Sequence, residues 1–177
     1  MKTREMLRQM KDDLKALRPD ADTSASTTVV ALARASVTIS RSLAAGLETE
    51  GLHISGFDVL LTLYRVGQPQ GVALTRLSSL MAVTPASMTN RVDNLAERGL
   101  VERVICPNDR RSWWVRLTDE GRALIDRLLD SHMMREEQLM AGLSKAERKE
   151  LRALLLKLLD HLESLPAEEP RKAEAAV

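Results

Sequence analysis

Thr84-Pro85-Ala86-Ser87-Met88-Thr89-Asn90-Arg91-Val92-Asp93-Asn94-Leu95 decides the fold, together with Arg98-Gly99-Leu100-Val101 and Asn108-Asp109-Arg110-Arg111 after it. Thr84 is a natural helix N-cap, and Pro85 stands at the first helical position, where proline is best tolerated. Met88, Val92 and Leu95 are spaced to share one inward face. Gly99 follows as a left-handed C-cap candidate. Upstream, Leu74, Leu77, Leu80 and Met81 mark a short amphipathic helix, and Ala82-Val83 is left as a tight turn. Downstream, Val101 to Val104 and Trp113 to Leu117 alternate as two strands, with Pro107-Asn108-Asp109 as the hairpin turn between them.

Helix, turn, helix, strand, charged hairpin, strand is the order of a helix-turn-helix followed by a basic β-wing, a device for holding duplex DNA. The second helix would offer Ala86, Ser87, Thr89, Asn90 and Arg91 near its N-terminus, behind Thr84 and Pro85. Small and hydroxyl residues let a helix sit deep in a major groove. Asn90 could bond adenine bidentately, and Arg91 could read guanine or a phosphate. In Asp109-Arg110-Arg111, an arginine would enter a minor groove while Asp109 orients it. The bland alternatives are a capped surface helix of a protein-binding module and a merely solvated hairpin; the wing following the helix at this distance argues against both. Trp113 and Trp114 must face opposite sides of their strand. One packs under the wing; the role of the other stays open.

Composition sets the limits around this reading. Of 177 residues, 44% are hydrophobic, 29% charged and only 2% aromatic, so the core must be built from Leu, Val, Ala and Met in a mainly α chain. The net charge is +1, but Thr75 to Arg116 holds seven arginines and four acids, a local balance of +3. The cysteine count is 1, Cys106, which excludes an intrachain disulfide and a cysteine metal cage. His53, His132 and His161 have no ligand-like spacing, and no Gly-x-Ser-x-Gly elbow occurs, so neither an enzyme nor a cofactor is expected. No apolar run reaches the ~20 residues of a membrane span, and no signal-peptide layout is visible; the expected setting is the cytoplasm, away from membranes.

The remaining chain reads as helices. Met6, Leu7, Met10, Leu14 and Leu17 give an amphipathic helix over 3–18. Residues 27–49 suit a long buried helix. Ser55-Gly56-Phe57-Asp58 looks like a cap opening a helix that ends at Gly67. Thr118 caps a helix to about Met140, and Ser144-Lys145-Ala146-Glu147 is a capping box for another to about Glu163. The expected division is an N-terminal helix and linker (1–22), a long helix (23–53), a winged helix-turn-helix lobe (54–118), C-terminal helices (119–165) and a disordered tail (166–177).

Phe57-Asp58-Val59-Leu60, Met88 to Leu95, Arg98-Gly99-Leu100-Val101-Glu102-Arg103, Asp109-Arg110-Arg111-Ser112 and Arg116-Leu117-Thr118-Asp119-Glu120-Gly121 together resemble the MarR family of winged-helix transcriptional regulators. The resemblance runs from Phe57 to Ile125. It implies a homodimer built on the outer helices, with 23–53 and 119–165 as the dimerisation helices and two lobes straddling a pseudo-palindromic operator in double-stranded DNA. The N-terminal helix and the Leu61-Thr62-Leu63-Tyr64-Arg65 run look similar to the urate-responsive branch. By that likeness, Asp58 and Arg116 would help hold an anionic ligand. Leu14 stands where the branch carries a tryptophan, so the implied effector is another small aromatic acid or phenol. Ala82 replaces the glycine common in the turn. The expectation is a ligand-released repressor. Its alternatives are a thiol-redox sensor using Cys106 and a winged-helix interaction module that does not bind DNA.

Overall fold

The computed structural model of the chain describes residues 2–67, 69–106 and 109–166, with the backbone alone at 109–112. The chain divides into two compact units, Met1–Glu136 and Glu137–Val177.

In the first unit, α1 (Thr3–Leu17) packs on α2 (Ser24–Ala45). A single 3-10 turn, Glu48–Glu50, leads to α3 (Ile54–Val66). The cap of α3 differs from expectation. His53, not Ser55, is the N-cap: its Nδ1 accepts from the Ser55 amide at 3.3 Å and lies 2.8 Å from the Ser55 hydroxyl. Asp58 is thereby left out of any capping box.

The short strand β1 (Val72–Ala73) runs straight into α4 (Leu74–Leu80), and α5 (Pro85–Glu97) follows after a turn. Ala82 in that turn has φ +50°, the left-handed value that glycine takes without strain. The Ser87 amide donates to Thr84 Oγ1 at 3.2 Å, which makes Thr84 the N-cap and Pro85 the first helical residue. Gly99 closes α5 with φ +69°.

Strands β2 (Val101–Cys106) and β3 (Asp109–Leu117) complete an antiparallel sheet of order β1-β3-β2. β3 starts earlier than its apolar alternation suggests. Asp109, Arg110 and Arg111, read as the hairpin tip, belong to the strand, and Asp109 pairs with Cys106 across a register irregularity. The proposed turn residues Pro107 and Asn108, and residues 167–177 of the proposed tail, lie outside the described residues.

The core lies between helices and sheet: Phe57, Leu60, Leu77, Met88, Val92, Val115 and Ile125 are fully buried. α6 (Asp119–Leu139) joins this core through Leu124, Ile125 and Leu128. Its start is fixed by Thr118, whose hydroxyl donates to the Gly99 carbonyl at 2.6 Å and accepts from the Gly121 amide at 3.0 Å. Gly121 presses against the Leu100 carbonyl so closely that a Cβ would collide with it.

The second unit contains α7 (Lys145–Ser164), opened by the expected capping box of Ser144 and Glu147. Arg148 locks the preceding turn, donating to the carbonyls of Met140 and Leu143 and to Glu137. No helix among the described residues is long and apolar enough to cross a membrane.

Candidate nucleic-acid interface

The buried row Met88, Val92 and Leu95 fixes which way α5 faces. Ala86 and Asn90 lie opposite it and are exposed, as is Asn94, one turn beyond Asn90. Ser87 and Thr89 flank this face and are half-buried. The Thr89 hydroxyl donates to the Pro85 carbonyl at 3.0 Å, so its proton is spent within the helix.

Arg91 follows Met88 by three residues and is half-buried on the α3 side of the helix, not on the outermost face. With His53, Ser55, Asn94 and Arg98 it lines a cavity of about 260 Å³ at the start of α3. Arg98 is already committed there, donating to the carbonyls of Gly51 and Glu50 at 2.9 Å each. Arg91 and Asn94 thus border the α3 side of the helix, while Ala86 and Asn90 hold its outermost face.

The wing is braced by ion pairs. Arg103 Nη2 meets Asp93 Oδ1 at 2.6 Å, linking β2 to α5, and Arg116 Nε meets Glu102 Oε1 at 2.7 Å across the strands. Such exposed pairs contribute little stability. They do neutralise two of the arginines in the segment, so less of its positive charge is left for DNA. The side chains of Asp109, Arg110 and Arg111 are outside the described atoms; their backbone places them at the N-terminal end of β3.

Asp58 and Arg116 are not partners. Arg116 is held by its cross-strand neighbour Glu102 and donates to the Pro69 carbonyl at 3.1 Å, beside the C-terminal end of α3. Asp58 lies toward the other end of that helix. Burial among its neighbours raises the pKa of Asp58, against the attraction of Arg91 and then His132, which lower it; Glu136 adds to the rise. His132 is buried on α6, with Nε2 3.3 Å from Glu136 Oε1 and its ring centroid 4.3 Å from that of Phe57. Leu14 is half-buried on α1.

Cys106 is buried at the end of β2. The exposed thiol that a redox sensor needs is therefore not present in this conformation. Trp114 is half-buried and Trp113 is exposed.

Residues 53–113 match the model of the MarR family. The HTH-type transcriptional regulator PecS of Dickeya dadantii is 34% identical over 145 residues, 82% of this chain and 87% of the relative. The chain belongs to the MarR family. Like other members of MarR, it is a DNA-binding transcriptional regulator with a winged-helix fold. A mutant MarR from E. coli complexed with operator DNA matches in fold with a TM-score of 0.71, at 23% identity, over 78% of this chain and 99% of that one. BpsR of Bordetella bronchiseptica, whose DNA binding is regulated by 6-hydroxynicotinic acid, matches with a TM-score of 0.67 at 27% identity, over 73% of this chain and 90% of that one.

Proposed function

We propose that this MarR-family protein is a cytoplasmic homodimeric repressor that grips a pseudo-palindromic operator and is released by a small aromatic or phenolic anion. The observation that carries the reading is α5: capped at Thr84, anchored by Met88, Val92 and Leu95, and turning Ala86, Asn90 and Asn94 outward beside a wing that carries Arg110 and Arg111. That is the combination needed for major-groove reading with minor-groove support.

Dimerisation is supported by apolar side chains that a lone chain leaves in water. α2 exposes Val29, Leu32 and Val37; α7 exposes Leu151, Leu154, Leu158, Leu159 and Leu162. Apolar surface repeated along two long helices is uncommon on a monomer. A small anionic effector is supported by the BpsR relative and by the cavity beside Arg91. The ligand residues of the proposal are Asp58, with Arg91 as its cationic neighbour, Arg116 and Leu14. Effector and operator would each weaken the other's binding, as linkage requires.

The test is an anisotropy titration of the purified protein against its own upstream DNA, with and without a panel of aromatic acids, phenols and urate. Saturable, salt-sensitive binding relieved by one compound is the expected result. Arg111→Ala should weaken binding about tenfold and flatten its salt dependence by about one unit of slope, as loss of one phosphate contact does. No binding to any upstream fragment would overturn the reading.

A further inference from the structure

Trp113 and Ile105 face each other across β3 and β2, and both are about half exposed, at 52% and 54%. Residues two apart on a strand share a face, and so do directly paired residues. Trp113 therefore lies on the face of Val115, which is fully buried, and Ile105 on the face of Arg103, which bonds Asp93 of α5. This is the sheet face that covers the helices, continued outward past the end of the core. Trp113 also borders a cavity of about 340 Å³ with Thr75, Leu74 and Cys106, at the start of α4. The pair thus lies one same-face position outward from the Arg103–Asp93 link to α5, toward the outer wing. It sits on the strand that carries Arg110 and Arg111.

From this placement we infer that the Trp113–Ile105 pair is a docking platform for the sugar–phosphate backbone of the operator, where one strand passes from the major groove under α5 to the minor groove under the wing. A deoxyribose ring offers an apolar face that matches the indole, and the adjoining phosphate offers an acceptor for the indole N–H, which is a donor only. The site is continuous with the DNA-binding helix on one side and the arginine-bearing strand on the other. The inference rests on the operator-binding reading and adds to it a backbone contact that is mainly apolar.

An apolar contact releases no counterions, so its loss has a signature that differs from that of a phosphate-binding arginine. Trp113→Ala should weaken operator binding about tenfold while leaving the slope of affinity against salt unchanged. Trp113→Phe should recover most of the loss, and Ile105→Ala should show a smaller one. Hydroxyl-radical footprinting should lose protection at one or two sugars between the major- and minor-groove contacts and keep it elsewhere. Melting curves of the variants should match the parent, since Trp113 is outside the core. Unchanged affinity and an unchanged footprint in Trp113→Ala, with normal parental binding, would overturn this inference alone. Absence of parental binding would remove the operator reading and this inference with it. Oligomers larger than a dimer that Trp113→Ala abolishes would assign the patch to self-association instead, and would also overturn it.

Discussion

Ala82 shows how a single residue can be judged from sequence once its neighbours are read. Its place in the turn between α4 and α5 marks it as standing where glycine is favoured, and its φ of +50° bears this out. Ala82→Gly should relieve left-handed strain of about 1–2 kcal/mol, partly offset by the greater freedom of glycine in the unfolded chain. A net gain of about 0.5 kcal/mol in denaturant unfolding is expected; a loss of stability would mean that the Ala82 methyl makes contacts worth more than the strain. Asp58 is legible only in part. Its residue type and helix are readable, but its partners Arg91 and His132 come from distant parts of the chain and are set by packing. Because burial raises its folded pKa above the ordinary value of about 3.9, the folded state holds the proton more tightly than the unfolded one. Stability from this group is therefore lost as pH rises from the unfolded pKa through the folded one, and the deficit persists at neutral pH. Asp58→Asn should raise the melting temperature at pH 7 and give no gain below about pH 3.5. An equal gain at both pH values would assign the effect to packing.

At the scale of elements, caps and periodicity locate most of the helices. α5, α6 and α7 begin at Thr84, Thr118 and Ser144 as their side chains require. The opening of α3 escapes this logic because Ser55 looks like a cap in one dimension, whereas the ring of His53 takes that role. The start of β3 escapes it because Asp109, Arg110 and Arg111 carry no apolar alternation; pairing with β2 extends the strand regardless. The junction of wing and α6 is the least tolerant joint. Gly121 abuts the Leu100 carbonyl, a backbone atom that cannot step aside as a side-chain tip could. Gly121→Ala should destabilise the lobe by about 2 kcal/mol, as overpacking does, and lower operator affinity by disturbing the base of the wing. A variant as stable as the parent would show that α6 can slide along β2.

For the whole molecule, the sequence carries the class of fold and the arrangement of the lobe better than the ligand site. A lobe is written locally, in caps and turns, while a pocket depends on contacts between distant segments. The apolar faces of α2 and α7 point to association, so the melting temperature should rise with protein concentration, as it does when a folded dimer gives unfolded monomers. A melting temperature constant over a hundredfold dilution, in a range where sedimentation shows one species, would identify a stable monomer.

Both tryptophans of the chain stand side by side on β3, within the first unit. The protein thus has a built-in optical bias: its tryptophan emission arises from the wing, and α7 carries no tryptophan of its own. Far-ultraviolet circular dichroism, in contrast, is weighted toward the long helices. An unfolding curve followed by emission alone would assign the stability of the lobe to the entire protein. Recording both signals on one sample separates the two, because coincident curves indicate a single cooperative transition and displaced curves mean that the units melt in turn.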